Sequence, residues 1–557
     1  MKATCARKAR ASRAERNPGA VPSAGMARNC SGKKGSLQYC LSRLAMVLLI
    51  ATIVFALLSL RRRTDSRQKA LVPEEEFLDL RHKIDQIMNK RFDKSAAINR
   101  LGRILSFKTV SSRENPDHLE NRSSVDSLLQ FLRSEDGFPL GSRRLKWELF
   151  SSNLSLLLTW EGSNQKLDPI LLISHLDVVP VATKERSSWD YDPFGGIYDN
   201  ASGYLYGRGA LDTKSTAAGP LEAIELLLRV FGTNYRPMRT IILAFGHDEE
   251  VGGSLGAAKL AQTLKARNIN PKFCLDEGGS VTRGILPGLK QPVALIGVSE
   301  KGWCALNITV SSHGGHSSVP SKYGTVVDHA SRLILAIRKA KLPQNIDPPV
   351  SDLLEYLAPH LPQPVRFLLS NKKIFSGLLQ LLARQRDELA AQIGPTFATT
   401  MIHGGVALNV IPDSVAFIQS WRTNKNLMNA THFVERVIQQ TPSLLNKLFR
   451  IDVRDMGEGC TPPSPISKLD AYFRKVQRYI SVAYGTETLS APFEWLGGTD
   501  SKWYIHYGVG ERHYRFGPIF LDGNADFQRI HSTNERLHID TYEKMVRFYL
   551  ALMVDSE

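Results

Sequence analysis

The sequence predicts an α/β protein with a doubly wound, mainly parallel sheet, an inserted smaller α+β block and one amino-terminal transmembrane helix. Apolar runs at 169–174 and 240–245 are typical of buried parallel strands, and they alternate with helical patterns such as 215–231. Alternating polarity at 305–310 indicates a half-exposed strand that opens the inserted block. An uncharged run of 17 residues at 44–60 predicts the membrane helix.

The length of 557 residues exceeds one ordinary core and predicts two domains with additional segments. Composition divides the chain, because a polar stretch precedes the globular part and a Pro-rich, Leu-rich stretch interrupts it. The predicted segments are a basic tail (1–43), a transmembrane signal anchor (44–60), a helical stalk (61–95), the first part of the main domain (96–300), the inserted block (301–423) and the second part of the main domain (424–557).

The formal net charge of +17 suggests a nucleic-acid partner until the charges are located. Residues 1–63 contain 13 Lys and Arg against one Glu, so they account for +12 of the total. The rest of the chain carries only about +5 and shows no basic stripe with interleaved aromatic residues. We therefore expect no nucleic-acid binding by the folded part.

The run at 44–60 is short for a membrane span but falls within the range of about 17–25 residues. No small-residue cleavage site follows it, and three arginines at 61–63 stand in its place, so a signal anchor is favoured over a cleaved signal peptide. Positive charge is heavier before the run, which predicts a cytoplasmic amino-terminal tail. The prediction is a type II membrane protein with a lumenal or extracellular main part, whether translation starts at Met1 or Met26.

Glycosylation sequons agree with this orientation, and the cysteines add little. The sequons begin at Asn121, Asn153, Asn200, Asn307 and Asn429. Three cysteines lie in the amino-terminal tail, and the other three are Cys274, Cys304 and Cys460. Since three is an odd number and their spacing is not that of metal ligands, a disulfide framework is not indicated.

Two adjacent glutamates, Glu249 and Glu250, follow the apolar run at 240–245. Carboxylates at the end of a buried strand are costly unless a cation or a reaction uses them. In open α/β sheets the carboxyl ends of the strands are also where active sites form. Taken alone, the pair would more simply be an acidic helix start.

Four further segments place histidines and carboxylates at strand ends or in loops beside them. These residues are His175, Asp177, Asp212, Asp276, Glu277 and His531. Along an extended chain His175 and Asp177 point to the same side, so Asp177 could accept the imidazole N–H. A lone Asp is more often a helix cap and a lone His a core residue. Together, however, mixed His and carboxylate ligands suit zinc, and the strand ends converge on one crevice.

Nine motifs in a fixed order make the segment from about residue 98 to 554 resemble the M20 family of co-catalytic zinc peptidases and amidohydrolases. They are HLDVVP (175–180), WDYDPF (189–194), GRGALDTK (207–214), GHDEEV (246–251), LDEGG (275–279), GGHSSVP (314–320), GGVALNVIP (404–412), GGTDS (497–501) and RIHSTNE (529–535). Within the family the chain is most similar to secreted members that form and cleave N-fatty-acyl amino acids and to membrane-anchored vacuolar carboxypeptidases.

The resemblance implies a zinc-exopeptidase-like main domain, an inserted lid or dimerisation domain, and two Zn²⁺ ions per subunit. Asp212 is implied to bridge the two ions. One site is completed by His175 and Asp276, and the other by Glu250 and His531. Family members differ in which carboxylate of the LDEGG motif binds metal, and we favour the first one.

The resemblance also implies residues that act on the substrate. Glu249 is implied to be the general base, with Asp177 orienting its histidine neighbour. His316 is implied to reach the substrate carbonyl, often from a neighbouring subunit, which predicts a homodimer through the lid. Asn409 and Arg422 are implied to hold the carboxylate of the substrate, a task that suits a guanidinium group.

The leading hypothesis is hydrolysis of the amide bond of N-acyl amino acids, in particular N-fatty-acyl amino acids, with condensation as the reverse reaction. A broad carboxypeptidase acting on short peptides with a free carboxylate is the alternative. A catalytically silent membrane-anchored binding protein is a third, which the complete ligand set argues against. The apolar stretch at 354–389 is more simply lid core or dimer contact than a lipid-binding wall.

Overall fold

A ten-stranded mixed sheet forms the centre of the fold in the computed structural model, which describes residues 74–284, 288–456 and 460–555. We call it the central sheet. Across it the strands follow the order Lys146–Phe150, Ser155–Trp160, Ile241–Gly246, Ile170–His175, Phe273–Asp276, His513–Arg515, Val293–Glu300, Val281–Arg283 and Phe520–Asp522, and Leu489–Trp495 also pairs with Val293–Glu300.

The middle of the central sheet is parallel, as predicted, whereas its outer strands include antiparallel pairs. Ile170–His175 pairs in parallel with Ile241–Gly246 on one side and with Phe273–Asp276 on the other. Lys146–Phe150 pairs antiparallel with Ser155–Trp160. The sheet is therefore mixed rather than mainly parallel. Its parallel centre brings three carboxyl ends to one edge, which is the feature that positions the site.

Helices cover both faces of the central sheet, as expected for a doubly wound fold. All residues of Ile170–His175 and Ile241–Gly246 are buried, because both strands are apolar on both faces. The covering helices are Lys214–Phe231 and Ile539–Val554 on one face, and Ala257–Ala266 and Ser501–His506 on the other.

The first helix of the described chain, Glu74–Arg91, packs on the main core and is not a free stalk. Its side chains Phe77, Leu80 and Ile84 are at most 3% exposed. The predicted stalk at 61–95 is therefore corrected for residues 74–91, because a helix with apolar residues three and four positions apart buries that face.

A second, four-stranded antiparallel sheet, the small sheet, is built from the inserted block. Its order is Thr396–Gly404, Ser414–Thr423, Gly302–Ser311 and Arg450–Asp455. Burial alternates along the two inner strands, and the helices Val326–Lys339 and Ala430–Gln439 cover the buried face. A capping box between Thr325 and Asp328 begins the first of these helices. The small sheet extends beyond residue 423, the predicted end of the block, since Arg450–Asp455 pairs with Gly302–Ser311.

Between the two halves of the small sheet the chain forms four short helices. They are Val350–Leu357, Val365–Ser370, Ser376–Ala383 and Asp387–Ile393. The first of them packs against Leu489–Trp495 of the central sheet, and its Leu353, Tyr356 and Leu357 join the main core. This helical insertion therefore bridges the inserted block and the main domain.

Further helices and short strands complete the fold. Helices span Lys94–Ser106, Arg122–Arg133, Pro139–Arg144, Thr183–Arg186, Ala471–Tyr484 and Gly523–Phe527, with single 3-10 turns at Glu249–Val251, Ala358–His360 and Pro442–Leu444. A three-stranded sheet joins Ile197–Asp199, Tyr204–Tyr206 and Arg536–His538, and Gly315–His316 pairs with Val410–Ile411.

The basic tail at 1–43 and the predicted membrane span at 44–60 lie outside the described residues. Within the three described ranges, none of the helices combines the length and the apolar character needed to cross a bilayer.

Cys304 and Cys460 form a disulfide, which the sequence analysis did not predict. The bond joins the strand Gly302–Ser311 to the segment that follows Asp455, and Cys274 remains free and buried. The two half-cystines are 156 residues apart, so their spacing carries no signal, and pairing in the small sheet is what brings them together.

Candidate functional site

His175 is the last residue of its strand, and its imidazole is almost fully buried at the carboxyl edge of the central sheet. Its Nε2 lies 3.1 Å from Asp212 Oδ1 and 3.5 Å from Glu277 Oε1. Its Nδ1 lies 3.0 Å from the backbone oxygen of Asp177 and 3.4 Å from the Oδ1 of the same residue. Because Nδ1 contacts Asp177, Nε2 is the nitrogen that faces Asp212 and Glu277.

Asp177 holds the segment that carries the two glutamates. Its carboxylate is fully buried and accepts hydrogen bonds from the backbone N–H groups of Glu249 and Glu250, both at 3.1 Å. The same carboxylate lies behind His175, so it fixes residues from two neighbouring strand ends at once.

Asp212 lies between the two histidines of the site. Its Oδ2 is 2.9 Å from His531 Nε2, and its other oxygen faces His175. Burial opposes ionisation of Asp212, but hydrogen bonds from His175 and His531 outweigh it and lower the pKa of the carboxyl. Each oxygen of Asp212 therefore faces one ligand-type nitrogen, one from each histidine.

A second buried carboxylate, Glu535, fixes the turn that presents Asp212. Its Oε1 accepts hydrogen bonds from the N–H groups of Gly209, Leu211 and Asp212 at 2.8–3.1 Å. Its Oε2 accepts a hydrogen bond from Arg208 at 2.8 Å. The sequence analysis gave these residues no role, because 323 positions separate Glu535 from Asp212 and no spacing pattern links them.

The two glutamates of the 3-10 turn diverge. Glu250 Oε1 lies 3.2 Å from His531 Nε2, whereas Glu249 approaches His175 and Glu277. Burial raises the pKa of Glu249 to about 8, with attraction by His175 opposing and repulsion by Glu250 adding to the shift. Glu249 is therefore a largely buried carboxylate that can exchange a proton near neutral pH.

Glu277, and not Asp276, lies in the cluster, whereas the sequence analysis favoured Asp276 as the metal ligand. Asp276 ends its strand with Oδ1 accepting from the N–H of Glu277 at 2.9 Å and Oδ2 accepting from the N–H of Ser501 at 2.8 Å. Both of its oxygens are thus occupied by backbone donors. Glu277 lies one residue beyond the strand, where its side chain turns towards His175.

The chemistry of these side chains fits a metal centre. Two groups have their ligand atoms within 4.8 Å of one another, namely His175 with Asp212 and Glu250, and His175 with Glu249 and Glu277. Burial and the neighbouring Asp212 raise the pKa of Glu277 well above its ordinary value. A bound cation would offset the repulsion between the carboxylates of Glu277 and Asp212. A set of imidazole and carboxylate ligands suits zinc-like divalent ions.

His531 adds a further donor to the second group. Hydrogen bonds to Asp212 and Glu250 raise the pKa of His531 to about 11. The imidazole is thus protonated at neutral pH when no cation is bound, and a cation that binds its nitrogen releases that proton. The residues that would hold metal are His175, Asp212, Glu277, Glu250 and His531.

A cleft of 1420 Å³ opens above the cluster, between the central and small sheets. Glu249, Glu250, Glu277, Asp212 and His531 border it on one side. The exposed face of the small sheet and the loops around it supply an apolar wall on the other side. The apolar lining includes Trp303, Met401, Ile418, Met456, Trp495, Ile519, Leu521 and Phe527.

Arg422 borders the same cleft and is the next-to-last residue of the strand Ser414–Thr423 in the small sheet. Burial lowers the pKa of Arg422, whereas the carboxylates of Glu300 and Glu249 oppose that shift. Within the described part of the chain, its guanidinium takes part in no ion pair. Its guanidinium is therefore available to a carboxylate that enters the cleft.

His316 and Asn409 are not brought to the cluster within one chain. Both are exposed at the two-stranded sheet that pairs Gly315–His316 with Val410–Ile411, and neither borders the cleft. The backbone oxygen of Asn409 accepts a hydrogen bond from Ser317, and the ring of His316 contacts Ser318 at 2.7 Å. Of the three predicted substrate-binding residues, only Arg422 lines the cleft.

The turn at 497–500 forms part of the cleft floor. Thr499 donates a hydrogen bond of 2.9 Å to Glu300, whose carboxylate also accepts from Arg515 at 3.1 Å. Asp500 is almost fully buried behind this turn, and burial together with Glu249 and Asp276 raises its pKa well above the ordinary value.

The fold and the carboxylate–histidine cluster define a hydrolase of the metallopeptidase class. The family model described as Peptidase family M20/M25/M40 matches residues 171–555. The chain belongs to this family, as the nine motifs predicted.

Relatives within the family are named for different activities. The N-fatty-acyl-amino acid synthase/hydrolase PM20D1 of Bos taurus is 34% identical over 415 residues, which cover 73% of this chain and 77% of that protein. Carboxypeptidase S of Saccharomyces cerevisiae is 29% identical over 525 residues, which cover 85% of this chain and 86% of that protein.

Solved structures support the fold. Human carnosine dipeptidase 1 gives a TM-score of 0.56 at 16% identity, covering 86% of this chain and 98% of that chain. An M20 family metallo-carboxypeptidase from Sulfolobus solfataricus gives 0.56 at 15% identity, covering 82% and 97%.

The different surroundings of Glu277 and Asp276 lead to a prediction about metal content. We expect Glu277→Gln to lower the metal retained per subunit after dialysis, because it removes a charged ligand. We expect Asp276→Asn to retain the metal but to lower the free energy of unfolding by about 1–3 kcal/mol, because an amide cannot accept from both backbone donors. Elemental analysis and urea unfolding measure the two effects. Loss of metal in Asp276→Asn alone would contradict this assignment.

Proposed function

We propose that this hydrolase is a di-zinc enzyme that cleaves the amide bond of N-acyl amino acids, with N-fatty-acyl amino acids as its substrate class. The observation that carries the proposal is that one cleft contains both the carboxylate–histidine cluster and Arg422, beside an apolar wall. An N-fatty-acyl amino acid has a carboxylate, an amide and a hydrocarbon chain. Each of these three parts has a chemical counterpart in the cleft.

Arg422 would bind the carboxylate of the substrate. A guanidinium group offers two parallel N–H donors to a carboxylate, and partial burial strengthens that interaction. The acyl chain would lie against apolar residues of the small sheet and the cleft mouth, such as Trp303, Ile418 and Phe527. Burial of a hydrocarbon chain contributes about 0.8 kcal/mol per CH₂, so chain length would raise affinity.

The reaction would be carried by groups whose positions are described above. Zinc held at the site would supply Lewis-acid activation of water and of the amide carbonyl. Glu249 would remove a proton from the attacking water and deliver it to the leaving amine. Asp177 would keep Glu249 and His175 in place through its hydrogen bonds. The same groups would catalyse condensation of fatty acid and amino acid when the concentrations of acid and amine favour it.

A broad carboxypeptidase is the second candidate. Arg422 would bind the carboxyl terminus of a peptide equally well, and the relative from Saccharomyces cerevisiae is named carboxypeptidase S. The two candidates share the metal centre and differ in the occupant of the apolar wall, so a comparison of substrates separates them.

We predict that the full chain hydrolyses N-oleoyl-phenylalanine with a higher kcat/KM than a blocked dipeptide that ends in phenylalanine. Both substrates present the same carboxylate to Arg422, so the ratio reports the contribution of the apolar wall. Chelator should abolish both activities. Glu249→Ala should retain metal while kcat falls roughly 100- to 10,000-fold, because a proton-transfer group is lost. Exclusive turnover of the dipeptide would establish the carboxypeptidase instead.

We further propose that the enzyme is a homodimer through its lid and that His316 of the partner subunit completes each site. The exposed position of His316 away from its own cleft supports this arrangement. Thr396–Gly404 is an edge strand of the small sheet, and the neighbouring Ile402, Val406 and Leu408 are exposed by 59% or more. An exposed apolar edge of this kind favours pairing with a second copy.

Mixing two inactive variants tests the shared site. We expect Glu249→Ala and His316→Ala to be inactive separately, and an equimolar mixture to recover about one quarter of wild-type activity after subunit exchange. Half of the dimers are then hybrid, and each hybrid contains one complete site. A fully active His316→Ala variant, or a mixture that stays inactive in spite of exchange, would contradict the arrangement.

We propose that residues 44–60 anchor the chain in a membrane with its catalytic part on the lumenal or extracellular side. The Cys304–Cys460 disulfide supports an oxidising compartment. Four sequon asparagines, Asn121, Asn153, Asn200 and Asn429, are exposed, whereas Asn307 lies half-buried within a strand.

Glycosylation reports this orientation. We expect the full chain from secretory cells to shift in gel mobility after treatment with peptide-N-glycosidase. Asn307→Gln should leave the shift unchanged, and Asn200→Gln should reduce it, because only an exposed asparagine is accessible to the transferase. Unchanged mobility of the wild-type chain would contradict a lumenal catalytic part.

A further inference from the structure

The helical insertion exposes apolar side chains on helices Val365–Ser370 and Ser376–Ala383 and on the turn between them. They are 40–71% exposed. We define the insertion surface by these residues and the cations among them: Val365, Ile374, Leu378, Leu381 and Leu382, with Arg366, Lys373, Arg384 and Arg386. A patch of neighbouring exposed apolar residues on a folded protein indicates an interaction site.

The insertion already has its own packed interior, so these side chains are not unused core. Leu379 is 8% exposed on the same helix as Leu378 and Leu381, and Phe367 packs against Phe375 with ring centroids 5.6 Å apart. The helix Ser376–Ala383 packs in turn against Asp387–Ile393. The outward leucines therefore remain in contact with water after folding is complete.

The positive charge of residues 365–386 indicates an anionic partner. Residues 365–386 contain five Lys and Arg and no Asp or Glu. One of the five, Lys372, lies 3.4 Å from Glu355, and Arg384 donates to the side chain of Gln344. Arg366, Lys373 and Arg386 are in no ion pair with the residues that the structure describes. The first acidic residues, Asp387 and Glu388, begin the next helix.

We propose that the insertion surface docks onto an anionic lipid headgroup layer, with its leucine and isoleucine side chains entering the interface. Basic residues beside exposed apolar side chains are the combination that binds peripheral segments to anionic bilayers. A symmetric contact with a second copy is disfavoured, because it would place the same cations opposite one another.

The insertion surface is also connected to the cleft. Helix Asp387–Ile393 ends where the backbone oxygens of Ala391 and Gly394 accept hydrogen bonds from Lys301, which borders the cleft. Docking would therefore bring the cleft rim close to amphiphiles in the bilayer. This consequence rests on the proposed function, whereas the docking itself does not.

Hydrogen exchange of residues 365–386 tests the docking without using catalysis. The full chain is placed in nanodiscs of phosphatidylcholine alone or of phosphatidylcholine with phosphatidylglycerol, and exchange is followed by mass spectrometry. Any anchoring by the amino-terminal segment is common to both discs. We expect exchange in this segment to be roughly tenfold slower in the anionic discs, because each cation near an anionic surface adds a several-fold factor. High salt should remove the difference.

A charge variant and a matched control complete the test. Lys373→Gln/Arg384→Gln/Arg386→Gln should lose the protection. Lys259→Gln/Lys339→Gln/Lys447→Gln, which changes three exposed lysines elsewhere, should retain it. Equal exchange in the two discs, or loss of protection in the control variant, overturns the proposal. Protection that appears in detergent and grows with protein concentration identifies a second copy as the occupant and also overturns it.

Discussion

Negative charge buried at the carboxyl ends of three parallel strands is the constraint on which the rest of this structure depends. Asp212, Glu249, Glu250 and Glu277 meet there around His175. An uncompensated buried charge costs several kcal/mol, so a fold that gathers four carboxylates is stable only if cations or protons balance them. Burial raises the pKa of Glu249 and the pKa of Glu277, which is the direction that favours protonation of these two carboxylates in the absence of a cation. A metal centre is the arrangement in which all of these groups are ionised.

The backbone around the cluster is built to hold that charge in place. Asp177 and Glu535 are fully buried carboxylates beside the cluster. Asp177 accepts hydrogen bonds from the backbone N–H groups of Glu249 and Glu250, and Glu535 accepts one from the backbone N–H of Asp212. Each of these hydrogen bonds is charge-assisted, so it is stronger than one between neutral groups. The segments that carry the clustered side chains are therefore positioned by buried carboxylates beside the cluster.

The inserted block forms one wall of the cleft above the cluster. The small sheet closes the cleft with an apolar face and Arg422, while the helical insertion presents a second apolar surface outward. The sequence analysis treated the apolar stretch at 354–389 as lid core or dimer contact. The structure divides it: Leu357 joins the main core, whereas Ile374 and Leu382 are exposed. The beginning of this stretch therefore packs in the core, whereas its later part forms an exposed surface.

The sequence by itself determined the α/β class, the family and most of the side chains that meet in the cluster, because these depend on local patterns. Strand periodicity and the motifs around His175, Asp212, Glu250 and His531 are each contained within a few consecutive residues. The tertiary structure decided what depends on distant pairing. It selected Glu277 over Asp276, assigned Glu535 to the Asp212 turn, joined Cys304 to Cys460 and left His316 outside its own cleft. No local sequence pattern records the direction that a side chain takes beyond the end of a strand. Contacts between residues that are hundreds of positions apart leave no local pattern either, so only the folded chain could determine both.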